Sequence, residues 1–111
     1  MNAPASFAEI ILGENMENKS VELDFSSCKY IGSVQREIKE KLNLPEWYGE
    51  NLDALWDALI GIVETPINIK IIFTPKTSAA KNITPYINEV INVFNDAAEQ
   101  YKEIKVTVER D

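Results

Sequence analysis

Three short segments of the chain alternate apolar and polar residues, and this pattern limits the possible folds more than any other feature. Val21, Leu23 and Phe25 alternate with polar residues, and the same period recurs in the ranges 67–71 and 104–108. A period of two is typical of β-strands with one buried and one solvated face. We therefore predict three strands whose apolar sides line one face of a sheet.

Segments with helical periodicity separate these strands. The first helix is predicted to start at Gly32 or Ser33, because Val34, Ile38 and Leu42 then recur every four residues. A second apolar stripe comprises Leu52, Leu55, Trp56, Leu59 and Val63. The third comprises Ile87, Val90, Ile91, Phe94, Ala98 and Tyr101.

Smaller signals mark the ends of these helices. Pro45 is expected to end the first helix, and Gly49 to allow a tight loop. Thr84 followed by Pro85 indicates a hydroxyl cap with proline in the first turn. The polar range 76–82 has room for one short helical turn.

The predicted order is strand, two helices, strand, helix, strand. Long connections that carry helices imply parallel neighbouring strands. If every helix covers the single apolar face, the result is a two-layer α/β fold, a three-stranded parallel sheet with helices packed on one face. Its solvated second face departs from the usual parallel sheet, which is covered on both sides.

Composition excludes several functional classes. The chain has 111 residues and a net charge of -7, from 11 basic and 18 acidic residues. This balance disfavours nucleic acid, whose phosphates require Lys and Arg, and is typical either of a protein with a basic partner or simply of a highly soluble one. There is no histidine, the commonest general base and metal ligand. The single cysteine, Cys28, permits no internal disulfide, which fits a reducing compartment.

The first residues contain neither a signal peptide nor a membrane span. Residues 1–12 lack Lys and Arg, and their apolar run is only three residues long. We therefore expect a cytoplasmic protein without a membrane partner.

The segment that precedes and opens the second helix is rich in acids. Asn51 is a plausible N-cap that would place Asp53 in the first turn, where the helix dipole favours an anion. Asp57 follows one turn later on the same side, and Ile60 lies beside the two acids. Like charges at this spacing destabilise a helix slightly. No Lys or Arg occurs between Lys41 and Lys70 to neutralise the five acids of this stretch, which are Glu46, Glu50, Asp53, Asp57 and Glu64.

The same segment resembles the signature of the barstar family. The run from Leu44 to Asp57 reads LPEWYGENLDALWD, and Gly61, Glu64 and Pro66 continue the match. The similarity is dense over residues 42–66 and thinner over 20–110, where it includes the run VFNDA at 93–97. We therefore assign residues 19–111 to a barstar-like domain and residues 1–18 to an N-terminal extension of uncertain structure.

The resemblance implies a function and a set of site residues. Barstar-like proteins inhibit barnase-type ribonucleases, basic enzymes of the extracellular type, by occluding the active site with acidic groups. Asp57 matches the central acid of such inhibitors, Asp53 its neighbour on the helix, and Trp47 an aromatic residue that packs on the enzyme. The predicted partner-binding residues are Trp47, Asp53, Trp56, Asp57, Ile60, Gly61, Glu64 and Asp96. The family implies no cofactor, no metal and no catalytic residue, and we expect a monomer when free.

Three departures from the family pattern affect the choice of partner. Ile60 replaces a polar residue, Ile62 stands where the best-known member has an aromatic residue, and Asp96 is one methylene shorter than the family's glutamate. Interface side chains set partner specificity, so the identity of the ribonuclease stays open. The Thr65–Pro66 bond matches an X-Pro site of the family at which a cis bond can occur.

Three alternatives remain from the sequence alone. Glu50, Asp53 and Asp57 could hold a hard cation, although no loop has regularly spaced acids. Paired carboxylates could act as acid and base, although no nucleophile accompanies them and Cys28 has no histidine partner. The third alternative is a barstar fold that serves as an interaction or immunity module for a different basic partner or toxin.

Overall fold

The computed structural model describes residues 19–111, so the predicted N-terminal extension lies outside the described residues. The elements in chain order are β1 (Lys19–Asp24), α1 (Ile31–Lys41), α2 (Leu52–Gly61), β2 (Ile67–Phe73), α3 (Ser78–Lys81), α4 (Thr84–Gln100) and β3 (Ile104–Arg110). All three predicted strands and all three predicted helices are present, and α3 is the short turn expected within 76–82.

The strands form one parallel sheet in the order β1-β2-β3. Val21 pairs with Ile69 across the first ladder, and Ile69 pairs with Val106 across the second. Each crossover carries helices, as a parallel connection requires. The predicted parallel sheet is therefore confirmed.

The central strand shows why the fold has two layers. On one face of β2 the side chains of Ile67, Ile69, Ile71 and Phe73 are buried, whereas Lys70 on the opposite face is exposed. The buried side chains join one core with the apolar faces of α1, α2 and α4. The outer face of the sheet carries polar side chains, so the predicted two-layer arrangement is confirmed.

The core fixes where the helices lie. Phe25, Phe94 and Leu55 are fully buried at its centre, and each large apolar side chain contributes about 1.5–3 kcal/mol when it leaves water. Helix α2 packs against α4, which in turn packs against β3, while α1 packs against β1. This packing holds α2 at the surface of the helical layer with one side open to solvent.

Both ends of α1 differ from the prediction, since the helix begins at Ile31 rather than at Gly32 or Ser33. Helix α1 ends at Lys41, and Asn43 adopts a left-handed conformation with φ 54° before Pro45 is reached. The Thr65–Pro66 peptide bond, just before β2, is cis.

The predicted cap of α4 was wrong. Ile83 occupies the N-cap position without a side-chain hydrogen bond, and Thr84 is the first helical residue. The Thr84 hydroxyl instead donates to the Lys81 carbonyl oxygen at 2.6 Å, which ties α4 to the end of α3. Pro85 lies in the first turn as predicted.

Candidate protein-binding site

Helix α2 begins with the predicted cap. Asn51 has extended backbone angles, and its side-chain oxygen accepts a hydrogen bond from the Ala54 amide at 2.7 Å. Asp53 therefore lies in the first turn, where unpaired amides and the helix dipole favour a negative charge. The cap defines where the helix starts and so fixes the position of this carboxylate.

Helix α2 has a buried side and an exposed side. Leu55, Ala58 and Leu59 are buried against the core. Asp53 and Asp57 are exposed on the other side, and Ile60 beside them is 41% exposed. Trp56 is half-buried between the two sides, and Leu52 and Val63 are also half-buried. The predicted separation of apolar stripe and acids is therefore present, with Trp56 at its border.

The five acids of this stretch differ in their ion pairs. The Lys39 ammonium lies 3.4 Å from a Glu46 carboxylate oxygen and 3.9 Å from one of Glu50. Lys19 pairs with Glu64 and holds the pKa of that carboxyl below its usual range, chiefly through a hydrogen bond. Among residues 19–111, Asp53 and Asp57 form no ion pair. Sequence reasoning missed these lysines because they lie outside the acidic stretch.

The loop before α2 presents consecutive residues to opposite environments. Trp47 is 74% exposed, whereas Tyr48 is only 5% exposed. The Tyr48 amide donates to the Pro45 carbonyl oxygen at 2.9 Å, which closes a turn. Its hydroxyl donates to Gln35 Oε1 at 2.6 Å, and burial raises the pKa of this tyrosine. Gln35 is a residue that sequence reasoning missed, because a polar residue within a helix ordinarily indicates the surface.

The backbone conformations of Gly49 and Glu50 differ from those that the sequence suggested. The left-handed residue is Glu50, with φ 54°, and Gly49 has no positive φ. Gly49 instead allows close approach, because a Cβ there would lie 3.2 Å from the Ala54 Cβ. The loop therefore packs against the first turn of α2, and Glu50 holds a backbone conformation that non-glycine residues adopt infrequently.

Helix α4 adds Asp96 to the site. Asp96, Glu99, Gln100 and Trp56 line a shallow cleft between α4 and α2. Gly61 ends α2 with open space where a Cβ would stand. The fold thus brings Trp56 and Asp96 together, keeps Asp53, Asp57 and Ile60 along one side of α2, and places Glu64 farther on, paired with Lys19. Glu99 was missed, since only tertiary packing places it beside Trp56.

The geometry bears on the hard-cation alternative and on the reactivity of Cys28. Within residues 19–111, no three His, Cys, Asp or Glu side chains converge closely enough to hold a metal ion. Cys28 is buried, which raises the pKa of its thiol and disfavours the reactive thiolate.

No helix in the described part of the chain is long and apolar enough to cross a membrane.

Comparison with known proteins agrees with the resemblance. The family model described as Barstar (barnase inhibitor) matches residues 18–109. The Bacillus subtilis (strain 168) protein named "Putative ribonuclease inhibitor YrdF" is 32% identical over 94 residues, which cover 82% of this chain and 99% of that protein. The family match extends over well more than half of the chain, and the fold agrees with it. The chain belongs to the barstar family.

Proposed function

We propose that this protein inhibits a barnase-type ribonuclease by covering the enzyme's basic active site with α2 and the loop Glu46–Glu50. Membership of the barstar family supports this function, as does the relative whose name refers to ribonuclease inhibition. We further propose that the protein acts in the cytoplasm, as a monomer when free, and that residues 19–111 carry the activity.

One observation carries the mechanism. Asp53 and Asp57 are exposed on a capped helix and have no ion-pair partner among the described residues. A ribonuclease must hold Lys and Arg in its cleft to bind RNA phosphates. Carboxylates fixed on a helix can accept charge-assisted hydrogen bonds from those groups, and they do so without first breaking ion pairs of their own.

The net charge of -7 adds a long-range contribution. Opposite charge on the two proteins raises the rate of encounter and orients the approach. The same negative charge repels RNA, so the proposed partner is the enzyme and not its substrate. Fast association suits an inhibitor that must act before the enzyme cleaves cellular RNA.

The remaining predicted residues would surround this acidic centre. Trp47 offers a large exposed aromatic surface at one end, and aromatic residues are enriched at the centres of protein interfaces. Gly61 leaves space for the enzyme to approach the end of α2. Asp96 and Trp56 would contact the enzyme through their shared cleft. Ile60 and Glu64 complete the proposed contact residues, and Glu64 would keep Lys19 as its partner.

A second candidate is an immunity or interaction module for a different basic protein. Ile60 and Ile62 are 41% and 37% exposed, at positions where the family pattern has a polar and an aromatic residue. Two exposed isoleucines at the end of α2 favour a partner with an apolar patch near its basic pocket. The acidic centre would serve the same role in either case.

The deciding experiment titrates the purified protein into barnase and measures RNA cleavage. We expect inhibition that is complete near one equivalent and that is weakened in Asp57→Ala. Glu22→Ala is the matched control, because Glu22 is an exposed acid on the outer face of the sheet. Full ribonuclease activity at a large excess of the wild-type protein would contradict inhibition of this enzyme. Tight binding without inhibition would favour the second candidate.

A further inference from the structure

We propose that Gln35, a buried residue of α1 outside the predicted site, is a positioning residue that holds the loop Glu46–Glu50 in its binding conformation. Its consequence for binding rests on the function proposed above. Its effect on the loop can be measured without any partner.

A chain of hydrogen bonds connects three elements of the fold. Gln35 Oε1 accepts from the Tyr48 hydroxyl at 2.6 Å, and Gln35 Nε2 donates to the Tyr86 hydroxyl oxygen at 2.7 Å. Tyr48 belongs to the loop, Gln35 to α1 and Tyr86 to the first turns of α4. One side chain of α1 thus joins the loop that follows this helix to α4, which is distant from the loop in sequence.

Because Gln35 is buried, neither an aliphatic nor a charged side chain could replace it in this connection. Gln35 is 1% exposed and is the one buried polar side chain of the described residues. A buried polar atom without a partner is strongly unfavourable, so Gln35 retains both bonds only while Tyr48 stays in place. An amide can accept and donate at once without charge. An aliphatic side chain would leave both hydroxyls without this partner, and a carboxylate would bring an unfavourable charge into the core.

The position of Tyr48 determines where the residues on either side of it in the loop lie. Its side chain points inward, and Trp47 on one side of it is 74% exposed. On the other side, Gly49 packs against Ala54, and the cap residue Asn51 follows. Release of Tyr48 would let Trp47 and Glu50 sample other positions. A partner would then bind only the fraction of molecules with the loop in place, which lowers the apparent affinity by that fraction.

The first experiment measures amide hydrogen exchange of the free protein. The Tyr48 amide reports on the turn because it donates to the Pro45 carbonyl oxygen. In Gln35→Met we expect this amide to exchange roughly tenfold faster, since loss of a buried hydrogen bond lowers the local opening free energy. Tyr48→Phe removes one hydroxyl and is the milder second variant, with the same expected direction. Ile69→Val is the control for general destabilisation, because Ile69 lies in the buried centre of β2.

The second experiment measures the kinetics of binding to barnase under conditions in which all variants are folded. We expect Gln35→Met to lower kon by at most about tenfold, the factor by which opening of the loop rises, with little change in koff, as for a smaller competent fraction. Ile69→Val should leave both rate constants near wild type. Gln35→Met and Tyr48→Phe should show strongly non-additive effects on kon in a double-mutant cycle, because they remove the same connection.

The outcomes separate the two proposals. Unchanged exchange of the Tyr48 amide in both variants would overturn the positioning role. A kon that does not fall in proportion to the competent fraction given by the exchange rates would overturn the claim that loop order contributes to binding, while inhibition itself stands. If wild-type protein does not bind barnase, the proposed function fails for that enzyme, and the exchange experiment still decides whether Gln35 holds the loop.

Discussion

Asp53 and Asp57 lie one helical turn apart on the exposed side of α2, and no Lys or Arg of residues 19–111 forms an ion pair with either. The other three acids of the same stretch are all paired. Two like charges at this spacing weaken a helix slightly, which offsets part of the favourable position of Asp53 in the first turn. The unneutralised charge of the stretch is concentrated where a cationic partner would meet it.

The Asp57→Ala variant tests that concentration of charge. We expect binding to a barnase-type ribonuclease to weaken by about 2 kcal/mol or more, because loss of the carboxylate would leave the cationic group of the enzyme buried without its partner. The free energy of unfolding should change little, since the side chain is exposed. Calorimetric titration and urea denaturation give the two quantities. Glu22→Ala removes the same charge from the opposite layer and should leave affinity near wild type.

The dependence of the binding rate constants on salt should distinguish long-range attraction between the two proteins from contacts within the complex. We expect raised ionic strength to slow association much more than it speeds dissociation, because screening acts on separated charges more than on buried pairs. Stopped-flow measurements over a range of salt concentrations give both rate constants. A kon that does not depend on salt would contradict the claim that opposite charges on the two proteins accelerate their association.

The cap of α2 should matter for stability. Asn51→Ala removes the acceptor of the Ala54 amide, and we expect the protein to lose about 1 kcal/mol of unfolding free energy. Asn92→Ala is the control, because Asn92 is exposed within α4 and alanine favours helix there. Urea denaturation should distinguish the two variants. Equal stability would mean that other contacts define the start of α2.

Alkaline pH should destabilise the protein. Burial raises the pKa of Tyr48 and of Cys28, and a hydrogen bond to Glu37 raises the pKa of Lys41. As pH rises, the unfolded chain loses these protons first, so their contribution to stability is fully present below the unfolded pKa values and is lost progressively as pH rises through the folded pKa values. For a single group the slope reaches at most about 1.4 kcal/mol per pH unit.

A variant of Tyr48 tests whether this tyrosine contributes to the loss of stability at alkaline pH. In Tyr48→Phe the fall in stability above about pH 10, the ordinary pKa of tyrosine, should be shallower than in wild type. Denaturant titrations at several pH values measure the slope. A slope as steep as that of wild type would show that Tyr48 does not contribute to it.

The fold was predictable because its elements carry local patterns. The alternation around Leu23, Ile69 and Val106 predicted the strands, and long helical connections predicted that they are parallel. The solvated second face followed from polar residues such as Lys70 at every second position. Each of these patterns is set by residues close together in the chain.

The site was predictable in part, for the same reason. The exposed acids and the Asn51 cap follow from helical periodicity, whereas the ion pairs of Lys39 and the burial of Gln35 depend on contacts between separate elements. The prediction that Thr84 caps α4 failed because its hydroxyl donates to the carbonyl oxygen of Lys81, the last residue of α3. Gly49 was correctly identified as a loop residue, but the left-handed conformation belongs to Glu50.

The two-sided character of α2 has a consequence for how such a protein can change. Leu55, Ala58 and Leu59 contribute to folding, whereas the exposed row of Asp53, Asp57 and Ile60 contributes little to it. Under the proposed function, substitutions in the exposed row would alter which protein is recognised and leave the folded state intact. Such a protein could then acquire a new binding specificity one residue at a time while every intermediate variant remains folded.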